Sequence, residues 1–135
     1  MAYKITDIQG IGAVYSARLL QAGIDTPEAL LEKAATRRQR SELAARTGIS
    51  GTLLLTWTNH ADLFRVRGIG PQYAELLELA GVDTIKELGH RIPSNLAIRM
   101  REVNERRRLV RGAISERAVA RWIEEAKALP PIMKY

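Results

Sequence analysis

The run Ile8-Gln9-Gly10-Ile11-Gly12 returns 58 residues later as Val66-Arg67-Gly68-Ile69-Gly70, and the sequence after each copy matches too. Tyr15-Ser16-Ala17-Arg18-Leu19-Leu20 is echoed by Tyr73-Ala74-Glu75-Leu76-Leu77, and Ala22-Gly23-Ile24-Asp25-Thr26 by Ala80-Gly81-Val82-Asp83-Thr84. An echo this long at a fixed period marks a duplicated structural unit. Two glycines around one apolar residue allow a tight turn at positive φ and leave bare amides where the next helix begins. Such amides attract anions, phosphate above all.

Ile5 and Ile8 correspond to Leu63 and Val66, so each turn is preceded by a short helix and followed by a longer one. Pro71 suits a first helical position, and Gly23 and Gly81 suit helix C-termini. Thr26-Pro27, and Thr84 with Glu87 as a capping box, open the next helix of each copy; Thr36 and Ser94 open another. Ile49-Ser50 with Trp57 and Ala61 recurs as Ile114-Ser115 with Trp122 and Ala126, but at a spacing of 65, so the second copy carries seven extra residues near 105–111. The simplest form for them is two further turns of the helix that begins after Ser94. No stretch alternates apolar and polar residues, which predicts an all-α protein. Its two units, 1–58 and 59–135, are expected to pack as one pseudo-symmetric helical body, because a unit this small buries little surface alone. Pro130-Pro131 ends the last helix, leaving a tail to Tyr135 that is either frayed or packed back.

Of 135 residues, 46% are hydrophobic, enough to build a core. With 21 Lys and Arg against 15 Asp and Glu the chain is formally +6, which favours an anionic partner. Without cysteine there is no disulfide framework or thiolate metal site. Neither a secretory signal nor an apolar run of the roughly 20 residues that span a membrane is evident, so a cytoplasmic protein is expected.

Gly-Ile-Gly, a helix, and then Ala-Gly-Ile-Asp-Thr or Ala-Gly-Val-Asp-Thr resembles the helix-hairpin-helix superfamily. More closely, nearly the whole chain resembles an uncharacterised bacterial family of tandem helix-hairpin-helix proteins, that of domain of unknown function 4332. The match includes the junction Asn59-His60-Ala61-Asp62-Leu63 and the ending Trp122-Ile123-Glu124-Glu125-Ala126-Lys127-Ala128-Leu129-Pro130. The superfamily resemblance implies sequence-independent binding of duplex DNA across the minor groove, with amides near Gly10, Gly12, Gly68 and Gly70 holding phosphates of the two strands. It also implies, for some members, a monovalent cation beneath a hairpin; no other cofactor is expected. Where the superfamily places Lys or Arg, two residues past the second glycine, this chain has Val14 and Gln72. Arg18 on the first helix, and Arg65 and Arg67 flanking the second hairpin, are the nearby substitutes, which favours the second hairpin as a phosphate site.

The basic surplus is C-terminal, with residues 99–135 carrying ten basic and five acidic groups. Arg99, Arg101, Arg106, Arg107, Arg108 and Arg111 lie in or beside the extra segment, followed by Arg117 and Arg121. Arginine forks grip phosphate bidentately. Pairing with Glu102 and Glu105 would turn the same residues into an ordinary solvated face.

Support for catalysis is slight. His60 and His90 occupy unrelated places in the repeat and read as surface or capping residues, the carboxylates are scattered, and no glycine-flanked serine or phosphate-binding loop occurs. Trp57 and Trp122 sit in apolar helical stripes and belong to the core, and Tyr15 and Tyr73 read as packing residues. The expectation is therefore a non-enzyme that binds nucleic acid, duplex DNA first, without reading sequence. The alternative is a protein-interaction adaptor whose basic face docks an acidic partner.

Overall fold

The computed structural model describes residues 2–135, and among them all regular structure is helical, as the lack of alternation predicts. A 3-10 turn, Ile5–Asp7, precedes α1 (Ala13–Gln21), α2 (Pro27–Lys33), α3 (Arg37–Thr47) and α4 (Gly51–Leu63). Then come α5 (Pro71–Leu79), α6 (Ile85–Gly89), α7 (Pro93–Arg107) and α8 (Glu116–Ala128). None of the described helices is long and apolar enough to cross a membrane. The chain forms two compact units: one runs to Asp62 and also takes in Ile132–Tyr135, and the other is Leu63–Pro131.

In the first unit the Lys4 amide donates to the Asp7 carboxylate at 2.8 Å, which stabilises the opening turn and buries Ile5 and Ile8. Ile11, held by its amide on the Ile8 carbonyl at 3.1 Å, plugs the core beneath the glycine turn. α1 ends at Gly23, whose φ of +80° lets the Gly23 and Ile24 amides return to the Leu20 and Leu19 carbonyls, both at 2.9 Å. Thr26 caps α2 through the Ala29 amide, and Thr36 caps α3 in a reciprocal box with Gln39, at 3.1 and 3.0 Å. The tail packs back. Met133 is buried, the Lys134 amide donates to the Ala35 carbonyl at 2.8 Å, and the Tyr135 hydroxyl donates to Asn59 Oδ1 at 2.7 Å. Buried Arg40 joins these pieces, its guanidinium donating to the carbonyls of Ala34, Ala35 and Lys134 at 2.9–3.0 Å.

The second unit repeats this local plan. The Ile69 amide bonds the Val66 carbonyl at 3.1 Å, Pro71 takes the first position of α5, and Gly81 at φ +94° closes it with the Val82 amide on the Leu77 carbonyl at 2.8 Å. Three local expectations change. Thr84 accepts from the Glu87 amide at 3.0 Å, but the Glu87 carboxylate takes the Thr84 hydroxyl at 3.2 Å instead of its backbone, so the box is half-formed. α7 starts at Pro93 with Ile92 as its cap, not at Ser94. Proline needs no partner for a missing N–H and holds the preceding residue extended, here at φ −90°, ψ 123°.

The extra residues are not two helical turns either. α7 stops at Arg107, only slightly beyond the position equivalent to the end of α3, and most of the insertion is the loop from Arg108 to Ser115. The Asn104 side chain takes the place of further helix there. Its Oδ1 accepts from the Leu109 and Val110 amides at 2.9 and 3.0 Å, and its Nδ2 donates to the Val110 carbonyl at 3.1 Å.

Candidate nucleic-acid interface

The two glycines of each turn have different jobs. Gly10 and Gly68 sit at φ +94° and +95°, and a Cβ there would lie 3.1 and 3.0 Å from Nε1 of Trp57 and Trp122. These indoles are 1% and 6% exposed and meet Tyr15 and Tyr73 edge-on, at centroid distances of 5.1 and 4.9 Å. The first glycine of each pair, the tryptophan and the tyrosine therefore form one packed support. Gly12 and Gly70 have φ of −96° and −104°, which any residue adopts. They are the N-caps of α1 and α5, neither makes a side-chain cap, and a Cβ on Gly12 would meet nothing within 4 Å. The first intrahelical bonds run from the Ser16 and Ala74 amides to the Gly12 and Gly70 carbonyls, both at 2.9 Å. The first-turn amides ahead of them point out of the helix end, a geometry suited to an anion.

The surroundings separate the two turns. At α5, Pro71 removes one amide, and the Glu125 carboxylate accepts the Arg67 amide through both oxygens at 3.2 Å. Arg65 is drawn to the Pro130 carbonyl at 2.6 Å, while the Arg67 side chain stays exposed. The basic approach that the sequence gives the second turn is thus partly used within its own unit. At α1, Ala13 keeps its amide, and the position equivalent to Glu125 is His60. Arg18 leans over the Tyr15 ring, its guanidinium carbon 5.9 Å from the centroid, toward Gly48 at the C-terminus of α3. A cation is favoured there by the helix dipole.

The arginine-rich segment divides as well. Arg99 pairs with Glu102 at 3.5 Å, and Arg101 forks onto the Ile114 carbonyl at 3.0 and 2.8 Å. Arg106, Arg107, Arg108 and Arg111 are exposed and, among the described residues, enter no ion pair, although Glu102 and Glu105 lie within a turn or so. Arg117 and Arg121, four apart on α8, are also exposed, on the helix whose Trp122 supports Gly68. The loop lies at the start of α8, so it stands about 10 Å along the helix axis from that tryptophan. Arg117 and Arg121 therefore lie on the helix that backs the second glycine turn, while Arg106 and Arg107 end α7 and Arg108 and Arg111 lie in the loop between the two helices.

Sequence reasoning did not single out Asn104 or Glu125. An Asn near a helix C-terminus before a polar loop is the one available signal for the first; the second becomes visible only when the turn meets α8. His60 proves to be 2% exposed, inside α4, because its helical position falls on the same apolar stripe as Trp57 and Ala61. His90 is the exposed C-cap of α6. Among the described residues no three His, Asp or Glu side chains converge to hold a metal ion. Comparison with protein families finds one match, over residues 9–129, to a family described as Domain of unknown function (DUF4332). No curated protein and no solved structure matches the chain.

Proposed function

The chain belongs to the DUF4332 family, whose description assigns no activity, and from its geometry we propose that it is a non-catalytic protein that binds duplex DNA without reading sequence. In this reading the two glycine turns are helix-hairpin-helix elements of a cytoplasmic bacterial protein. Amides at the start of α1, and to a lesser degree of α5, hold phosphates. Within the second unit, Arg106, Arg107, Arg108 and Arg111 supply charge that Gln72 does not. The observation that carries the reading is that three consecutive arginines stand exposed and outside every ion pair among the described residues, with acidic neighbours at hand. Exposed guanidinium groups left unpaired by their own surface are suited to phosphate oxygens. Backbone contacts of this kind position a protein on a duplex but read no bases.

The test is titration of a fluorescent random-sequence duplex at two salt concentrations, with the wild type and with Arg106, Arg107 and Arg108 all changed to Ala. Each lost phosphate contact lowers the slope of log affinity against log salt by roughly 0.9, so the triple variant should lose about 3 in slope. Absence of wild-type binding at low salt would overturn the reading. An adaptor role is favoured by a different observation, the 65% and 62% exposure of Val14 and Leu20 on α1. It predicts a saturable protein partner whose binding is indifferent to DNA.

A further inference from the structure

We infer that the loop Arg108–Ala113 is a preorganised phosphate-binding loop whose arginines are aimed by Asn104, which makes Asn104 a positioning residue for structured nucleic acid. The inference rests on the nucleic-acid reading above and adds which element selects the ligand and how.

The two units set the frame for the argument. In the first, α3 ends on Gly48 in the left-handed conformation, and the chain passes through buried Ile49 to Ser50, which opens the next helix. In the second, α7 ends on Arg108, also left-handed at φ 51°, ψ 48°, and the chain reaches the equivalent buried Ile114 only after the intervening loop. The shared framework leaves at the helix end and resumes at the isoleucine, so it does not require what lies between. Yet that segment is held firmly. Asn104 bonds it three times, Leu109 and Val110 pack half-buried against the second unit's core, and the Arg101 fork fixes Ile114 at its far end. Beside these anchors lies an open depression of about 420 Å³, bordered by Ile98 and Glu102 of α7 and by Gly112 and Ala113 of the loop.

One detail singles out the arginine itself. Arg108 is the sole described non-glycine residue at positive φ, at a helix end where glycine is favoured and where the first unit has it. Residues held in sparsely populated backbone regions cluster at functional sites. With its neighbours Leu109 and Val110 turned inward, Arg108 and Arg111 are turned outward on either side of them. A flexible chain of the same composition would place equal charge near any polyanion. A rigid one favours phosphates at fixed spacing, because less conformational freedom is lost on binding.

Asn104→Ala removes no charge, so it separates aim from attraction. The experiment measures affinities of wild type, Asn104→Ala and Arg108→Gly for a random-sequence DNA duplex and for heparin, a flexible polyanion, at one salt concentration, with melting curves as a check on folding. The expected result for Asn104→Ala is about tenfold weaker binding to the duplex with heparin binding unchanged. Arg108→Gly keeps the left-handed turn but removes one of the aimed arginines, so it should weaken the duplex by a larger factor than heparin. If the wild type binds the duplex and Asn104→Ala, still folded, binds it equally well, the positioning role is overturned while the nucleic-acid reading stands. If Asn104→Ala fails to fold, Arg108→Gly decides: an equal loss for duplex and heparin overturns the inference, and a larger loss for the duplex supports it. If the wild type binds no duplex at low salt, both fall together.

Discussion

At the residue scale, the repeated glycines look alike in sequence and behave differently in space. Gly10 and Gly68 combine a left-handed φ with an indole nitrogen about one atom's width away. Alanine at either should cost about 1–2 kcal/mol for the backbone alone, and more because the tryptophan must shift. Gly12 has neither constraint. Gly12→Ala should therefore lower stability by no more than about 1 kcal/mol, the typical loss at an N-cap, while its methyl crowds the α1 amides and weakens duplex binding. Denaturant unfolding of the Gly10 and Gly12 variants beside DNA titration separates the two roles. A comparable loss of stability in both would contradict this division. Arg108 yields the opposite trade. Arg108→Gly should raise stability by about 1 kcal/mol, by relieving the left-handed backbone, and should lose affinity at the same time. A lower melting temperature would show that the arginine side chain contributes to packing.

At the scale of elements, the sequence signals that worked were the local ones. Pro71, Gly23, Gly81, Thr26 and Thr36 each act within one turn of the residue itself, so their chemistry determines the geometry wherever they occur. Thr36→Ala should accordingly cost about 1 kcal/mol, seen as an earlier thermal transition, since it removes the box with Gln39. The insertion was legible in length and position but not in form. Helix propensity carries α7 through Glu105, Arg106 and Arg107 and favours going on, whereas a single side chain one turn back, Asn104, stops it after Arg107 by taking the Leu109 and Val110 amides. His60 was misread for a related reason: its polarity says surface, but its register on α4 says core. Within the candidate site the arginines could be counted from the sequence. Pairing with Glu102 was open to it through helical spacing, but the arginines spent on the Ile114 and Pro130 carbonyls were not, because those partners lie 13 and 65 residues along the chain.

At the scale of the whole molecule, one buried cation holds the first unit's discontinuous chain together. Burial lowers the Arg40 pKa from its ordinary value, with Arg37 acting in the same direction and Tyr135 opposing it. Its three carbonyl partners come from the α2–α3 turn and from the tail. Arg40→Ala should destabilise the first unit by about 3 kcal/mol, because one buried and two partly buried carbonyls lose their donor. Arg40→Lys should recover less than half of that, since an ammonium cannot reproduce the fork. Trp57 fluorescence in a Trp122→Phe background reports this unit alone, there being two tryptophans in the chain and one in each unit. Recovery by lysine to wild-type stability would show that charge and not geometry is what the carbonyls need. Removing residues 132–135 should produce a similar loss in the same signal.

The route of that tail also sets an order in time. During synthesis Asp62 leaves the ribosome well before Lys134, by roughly 4–14 s at typical elongation rates. The unit made first is thus the unit finished last: its second half-partner, Met133 through Tyr135, arrives only after the whole of Leu63–Pro131 has been translated.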